Sequence, residues 1–295
     1  MNLSIDIGGS KIASGIVQLG DKPTVSDFQI TNTPKNKEQF LSAIKNIITA
    51  YQKDNEINKI CIGCAGLIDN SGRIVYSPNL QFLNNFDLRE SIESELKIDT
   101  TIANDVQCFT LAEANYGAGK NFNTIVGITI GTGIGGEIII TKKHFGGSQN
   151  FAGEFGHTII NADYNKRCSC GKYGCLEQFV SGEAVERNYF EITGNKKSAR
   201  EIELLAQKND SDSISAINKM AKYLGIGIIN IINSFNPNVI IIGGGIISEN
   251  INSGTITLFE DARKYALENL MSDEVKIEIK TSELGYTAPL IGAAL

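Results

Sequence analysis

The sequence predicts an α/β protein of two domains, and three observations carry that expectation. A chain of 295 residues is longer than one hydrophobic core usually serves. A strand, a glycine-rich turn and a second strand occur near residue 5 and again near residue 128, a separation too long for a solenoid repeat and suited to two similarly built domains. Residues 238–242 are an almost unbroken apolar run, as in a strand of a sheet covered on both faces.

Bulk properties remove several classes of function. Hydrophobic content of 42% with 20% charged residues is that of an ordinary globular protein. A net charge of -6 leaves no basic footprint for nucleic acid. No long uncharged apolar run occurs, and the opening MNLSIDIGG reads as a strand and a turn rather than a signal peptide, so no membrane partner is expected. The expected location is cytoplasmic, where thiols stay reduced and a cysteine cluster more often binds metal than forms disulfides.

Taken in order, residues 3–7 alternate as a strand and run into Gly8-Gly9-Ser10-Lys11, after which residues 12–19 form a second strand. Such a turn exposes backbone N–H groups that can cradle phosphate, and Asp6 at its mouth can hold a magnesium ion through water; two glycines after a strand also suit a plain turn. Aligning Ile5-Asp6-Ile7-Gly8 with Ile128-Thr129-Ile130-Gly131 repeats the pattern, with the turn Gly131-Thr132-Gly133-Ile134-Gly135-Gly136 and a second strand over 135–140. Two phosphate loops facing each other across a cleft would grip a nucleotide. Between them, 38–52 has the apolar spacing of an amphipathic helix, and 59–67 is a strand ending in Ala65-Gly66. Cys61 and Cys64 resemble a redox pair, but residues three apart on a strand point to opposite faces, so buried core thiols are expected. Residues 69–72 form a turn, 73–76 a short strand, 77–80 a loop that reaches the cleft, and 86–96 a helix.

A short strand over 100–103 delivers Asn104-Asp105 to its carboxyl end, just before a helix over 106–116. Ligands of open α/β sheets bind outside the carboxyl ends of strands, yet Asn-Asp is also a good helix N-cap. A carboxylate here could accept the hydroxyl proton of a phosphoryl acceptor.

Residues 153–177 hold three of the six cysteines and one of two histidines. Cys168, Cys170 and Cys175 follow C-x-C-x4-C, with His157 eleven residues upstream of the first; these four N/S ligands are what a closed tetrahedral zinc site needs. Gly171 and Gly174 stand where the knuckle must turn, and Glu154 lies three residues before His157, so the two share a face of a helix or turn. Beyond the knuckle, helices are predicted over 178–189, 198–208, 212–235, 255–270 and 288–295, with strands over 238–242 and 275–279. Gly243-Gly244-Gly245 ends the first of these strands and suits either close approach of an adenosine ring or a tight turn.

Together, Asp6-Ile7-Gly8-Gly9-Ser10-Lys11, Asn104-Asp105, the turn 131–136, Glu154-Phe155-Gly156-His157 and the run from Cys168 to Glu177 resemble the ROK family of repressors, open reading frames and kinases. The resemblance implies an actin-like ATPase fold of two ribonuclease-H-like domains, the smaller over 1–105 plus 285–295 and the larger over 106–284, closing on MgATP and a sugar. It implies that Asp105 deprotonates the sugar 6-hydroxyl and that Gly66, Asn79, Asn104, Glu154, His157 and Glu177 bind the sugar. Asp6, Gly8 to Lys11, Gly131 to Gly133 and Gly243 to Gly245 would hold the nucleotide. Zinc would be structural, and a homodimer is expected. The favoured substrate is a hexose or N-acylhexosamine, with N-acetylmannosamine ahead of glucose because Gln81-Phe82 replaces a Gly-Trp common in the glucose kinases. Glu137 stands where many members carry a further glycine, without expected effect on chemistry. No helix-turn-helix precedes Met1, and Asp105 and both turns are intact, so a kinase is favoured over a sugar-sensing regulator.

Overall fold

The computed structural model describes residues 1–245 and 258–295. In chain order the elements are β1 (Asn2–Ile7), β2 (Lys11–Gln18), β3 (Thr24–Asn32), α1 (Lys37–Gln52), β4 (Lys59–Cys64), β5 (Leu67–Ile68), β6 (Ile74–Tyr76), α2 (Leu88–Leu96), β7 (Asp99–Asn104) and α3 (Asp105–Tyr116). There follow β8 (Thr124–Ile130), β9 (Ile134–Ile140), β10 (Lys143–His144), α4 (Gly182–Thr193), α5 (Ala199–Ala206), α6 (Ser211–Phe235), β11 (Val239–Gly243), α7 (Leu258–Glu268), β12 (Glu278–Thr281) and α8 (Ala288–Ala293). By contact the chain divides into one unit of Met1–Asn123, Glu137–Ala152 and Tyr286–Leu295 and another of Thr124–Gly136 and Gly153–Gly285.

In the first unit the sheet order is β3-β2-β1-β4-β7, with β1 antiparallel to β2 and parallel to β4. Leu3, Ile5 and Ile7 of β1 are fully buried, as their alternation requires. On that face α1 lays down Phe40, Ile44, Ile48 and Tyr51, one turn apart, after Asn36 caps it by accepting from the Gln39 N–H at 2.9 Å. Fully burying a side chain of this size stabilises by about 1.5–3 kcal/mol. A smaller cluster joins Leu290 of α8 to Val17 and Cys61. Helix α3 packs closely on α8, where Gly292 admits the Cys108 carbonyl, so residues 106–123 group with the first unit rather than the second.

In the second unit β8, β11 and β12 are parallel neighbours, with β11 between the other two. Helix α6, capped by Asp210, buries Ala216, Ile217, Met220, Leu224, Ile228 and Ile231 along one stripe. Two glycines in it make room for neighbours: Gly225 for Tyr265 of α7 and Gly227 for Leu176. No helix among the described residues is long and apolar enough to cross a membrane.

Several boundaries differ from the sequence reading. Strand β3 lies at a sheet edge with nearly every residue exposed, so it has no burial alternation to read. Strand β4 stops at Cys64 rather than residue 67, because Gly66 adopts φ +137° and turns the chain. Helix α4 starts at Gly182 rather than residue 178, capped by Ser181, and Leu176–Gln178 form a separate 3-10 turn. Residues 255–257 of the helix predicted over 255–270 lie outside the described residues. Cys61 and Cys64 are buried free thiols, as expected, and Cys108 is a third.

Candidate active site

The first unit gathers Asp6, the Gly8–Ser10 turn, Gly66, Asn79, Asn104 and Asp105 around the carboxyl ends of β1, β4 and β7. In the turn, the Gly8 N–H donates to the Lys11 carbonyl at 2.9 Å. Two groups from beyond β3 hold its outer side: the Thr33 hydroxyl donates to the Gly8 carbonyl at 2.7 Å and the Lys35 ammonium to the Gly9 carbonyl at 2.8 Å. Gly9 has no side chain because a Cβ there would stand 2.7 Å from that of Asn79.

Asn104 takes the capping role that the sequence left open between it and Asp105. Its carboxamide oxygen accepts from the Val106 and Gln107 N–H groups at 2.8 and 3.0 Å, while its NH2 donates to the Gly66 carbonyl at 2.9 Å. Asn104 therefore clamps the Gly66 loop to the start of α3, and Asp105 is left as a half-buried carboxyl at the first helical position. Gly63 lies between the two acids, with the Asp6 carboxyl oxygen and the Asp105 Cα each 3.6 Å from where its Cβ would be. Burial first, and then the negative charge of Asp105, push the Asp6 carboxyl up to about 8. Burial pushes Asp105 up to about 6, against the lowering effect of backbone N–H donors. A base with that proton affinity is ionised at neutral pH and still accepts a proton readily. Asp6 is the side chain in this unit that fits a divalent cation, which would offset its burial.

The second unit gathers the turn after β8 and the knuckle. The Gly131 N–H donates to the Gly133 carbonyl at 2.9 Å, the Gly182 N–H donates to the Gly131 carbonyl at 3.0 Å, and Thr132 is exposed at the tip. The knuckle folds on its own backbone: the Cys168 N–H donates to the Lys172 carbonyl and the Gly171 N–H to the Cys168 carbonyl, both at 2.8 Å. Gly171 (φ +85°) and Gly174 (φ +77°) supply the left-handed turns, and a side chain at Gly174 would strike the Asn161 carbonyl. The ligand atoms of His157, Cys168, Cys170 and Cys175 all lie within 4.8 Å of one another. The Cys170 and Cys175 sulfurs are 3.7 Å apart, far beyond a disulfide. Burial and its sulfur neighbours drive the Cys175 thiol up, and the imidazole and three sulfur donors grouped here fit zinc.

His157 faces two ways. Its Nδ1 is 3.7 Å from the Cys168 sulfur, and its Nε2 is 3.8 Å from the exposed Glu154 carboxylate. Glu177 faces two ways as well: one oxygen accepts from the Ser169 hydroxyl at 2.8 Å, the other from the Ile134 N–H at 3.0 Å. The same carboxylate fills the space a side chain at Gly133 would need.

A family model described as the ROK family matches residues 2–295. The chain belongs to the ROK family. It is 28% identical over 306 residues to an N-acetyl-D-glucosamine kinase of Haemophilus influenzae, covering 100% of this chain and 98% of that one. It is 34% identical over 298 residues to a xylose repressor of Bacillus spizizenii, covering 99% of this chain and 75% of the repressor. A ROK family glucokinase from Streptomyces griseus, crystallised with glucose and AMPPNP, superposes with a TM-score of 0.89 at 26% identity, covering 99% and 97% of the two chains. With such neighbours the fold is the actin-like ATPase fold expected from the sequence.

Against this ROK framework some sequence expectations change. From sequence a side chain at Gly133 is expected to raise the KM for ATP far more than that for sugar, but the position also makes room for Glu177. Substitution with Ala should therefore raise the KM for both ATP and sugar, whereas Gly131→Ala, with nothing within 4 Å of its Cβ, should raise the KM for ATP alone. Steady-state kinetics on the two variants checks this, and an ATP-only effect of Gly133→Ala would remove Glu177 from the account. Gly244 (φ +95°) lacks a side chain because β8 leaves no room for one at the Ile130 carbonyl, whereas no described residue lies within 4 Å of a Gly245 Cβ. Phe82 packs on Phe40, with ring centroids 5.5 Å apart, so it belongs to the core. Thr33, Lys35, Ser169 and Gly182 escaped the sequence reading; each meets its site only through tertiary folding, and no local pattern marks it.

Proposed function

We propose that this ROK protein is an ATP-dependent kinase that transfers the γ-phosphoryl group to the 6-hydroxyl of a hexose or N-acylhexosamine. The observation that supports it most is Asp105, relieved of capping by Asn104 and held near a pKa of 6 at the carboxyl end of β7. The Asp105 carboxylate takes the proton of the 6-hydroxyl as that oxygen bonds to the γ-phosphorus. The bond from phosphorus to the β,γ-bridging oxygen breaks, and ADP carries away its electron pair. The Gly8 and Gly131 N–H groups close their own turns, so the amides of Gly9, Ser10, Thr132 and Gly133 are the ones that donate to the phosphate chain and neutralise its developing charge. Magnesium, with Asp6 to hold it through water, would supply further charge neutralisation. In the other unit, Glu154 and the Nε2 edge of His157 orient sugar hydroxyls, together with Glu177. The cysteines and His157 Nδ1 would hold zinc with no ligand position left open, so the ion serves structure.

Within this reading N-acetylmannosamine is the first candidate and glucose the second. Phe82 is engaged with Phe40, and the kinship with an N-acetyl-D-glucosamine kinase supports an N-acylhexosamine pocket, while equal kinship with glucokinases supports glucose as the alternative. An N-acetyl group adds an amide and bulk at carbon 2 that a pocket must accommodate and pair. A coupled assay for ADP release across hexoses and N-acylhexosamines is the test. A higher kcat/KM for N-acetylmannosamine is expected; a preference for glucose selects the glucokinase reading. Sugar binding without ADP release on any sugar of the panel selects a sensing regulator, the reading that the xylose repressor kinship supports.

A further inference from the structure

Glu137, on β9, is almost fully buried and sits at one end of a chain of side-chain hydrogen bonds. Its carboxylate is 2.7 Å from Nδ1 of His144, one of only two histidines in the protein. Nε2 of the same ring is 2.6 Å from the carboxamide oxygen of Asn150. The Asn150 NH2 in turn donates to the Ile68 carbonyl at 2.9 Å, and this bond fixes which end of the amide faces the ring. Gly146 completes the arrangement, because a side chain there would drive between His144 and Asn150. Asn150 adopts the left-handed conformation (φ +66°), which Asn tolerates better than most residues.

Both ring nitrogens of His144 thus face acceptors, and an imidazole can donate from both only when it carries a positive charge. Burial raises the Glu137 carboxyl, and its hydrogen bonds to His144 and to the Ile138 N–H at 2.9 Å pull it back towards the ionised form, in which the shared proton rests on the ring. The far end of the chain is strand β5, two residues beyond Gly66. The Gly66 loop is therefore fastened at two carbonyls, Gly66 by Asn104 and Ile68 by Asn150. We propose that Glu137, His144 and Asn150 position the sugar-side loop at Gly66, and that they hold it only while His144 is an imidazolium.

The charged surroundings of the ring are few among the described residues. Glu137 on β9 is its hydrogen-bonded ion. On α3 the titratable neighbour of Glu137 is the Cys108 thiol, which burial pushes far up and keeps neutral. Lys142 turns its ammonium to the carbonyls of Ala114, Gly119 and Lys120, and Lys143 is exposed. The hydrogen bond to Glu137 raises His144 above its ordinary value, against burial. A raised imidazole contributes stability that is complete below its ordinary value and is lost as pH rises through the folded-state value. The loop should be held in acid and neutral solution and released on the alkaline side.

This inference rests on the sugar-kinase reading for its kinetic arm only. In the full-length protein, imidazole nitrogen shifts followed by NMR should show His144 doubly protonated at pH 7, with the resonance assigned by its loss in His144→Phe. Glu137→Gln should lower its midpoint by about one unit or more. Hydrogen exchange of residues 65–68 should speed up in His144→Phe and in the milder Asn150→Ala, and in the wild type as His144 deprotonates. The KM for sugar should rise about tenfold in both variants while kcat and the KM for ATP stay within about twofold. A neutral His144 at pH 7 overturns the proposal, and so does unchanged exchange at 65–68 in both variants. If exchange responds but the KM for sugar does not, the device does not serve the sugar. If the wild type phosphorylates no sugar at all, the kinase reading fails while NMR and exchange still decide whether the device exists.

Discussion

Asp105→Asn is expected to lower kcat about 10²-fold or more while leaving sugar affinity close to that of the wild type. Asparagine has the same size and can still accept the hydrogen bond from the Val106 N–H, but it cannot take a proton from an attacking hydroxyl. Helix capping is spared, because Asn104 performs it. Wild-type turnover should fall as pH drops through about 6, where Asp105 becomes protonated, and the variant should lose that acid limb. Stability should move the other way. A carboxyl whose folded value lies above its ordinary range binds its proton more tightly when folded, so the protein without ligands is favoured at low pH. It loses that advantage as pH rises from about 4 through the folded values of about 6 for Asp105 and about 8 for Asp6. Removing the charge should therefore raise the Tm of ligand-free Asp105→Asn at pH 7.5 above that of the wild type. Loss of turnover together with a raised Tm separates the missing base from misfolding. Near-normal turnover would falsify the assignment of Asp105, and a lowered Tm would show that its environment is wrongly described.

What the sequence disclosed was what local pattern encodes. The β1–β2 hairpin is read from alternation, α1 and α6 from helical spacing, and the knuckle from cysteine spacing with glycines at its two left-handed positions. Strand β3 was missed because an exposed edge strand needs no apolar face. At Asn104-Asp105 the sequence located both residues but could not divide capping from chemistry, since either side chain can cap; only the observed hydrogen bonds make that division. Contacts between distant residues left no trace in spacing. Glu137 meets His144 across the β9–β10 hairpin, and a loop residue, Asn150, reaches back 82 positions to Ile68. The consequence of a carboxylate at 137 is therefore illegible from sequence alone.

Removing the metal proposed for the knuckle is the second change with a large expected effect, and here the folded geometry alters an expectation. From sequence the glycine turn at 131–136 lies far from the cysteines, so loss of metal should abolish sugar affinity and spare the nucleotide. Glu177 closes that distance. It is two residues from Cys175, accepts from Ser169 inside the knuckle and accepts from Ile134 in the turn. Collapse of the knuckle should free His157 to rotate away from Glu154 and withdraw Glu177 from Gly133 in the same step. The fold of the second unit should persist, since Leu176 remains packed against Gly227 in the middle of α6. Cys170→Ala, or chelation verified by elemental analysis, should weaken sugar binding about 100-fold and ATP binding about tenfold, with the far-ultraviolet circular dichroism unchanged. Calorimetric titrations of each ligand on the same metal-free sample measure both. The intact protein should carry one zinc per chain. Full sugar affinity without metal rules out a zinc-dependent sugar site, whereas sugar affinity lost with ATP affinity untouched keeps the zinc and removes the Glu177 link to the turn.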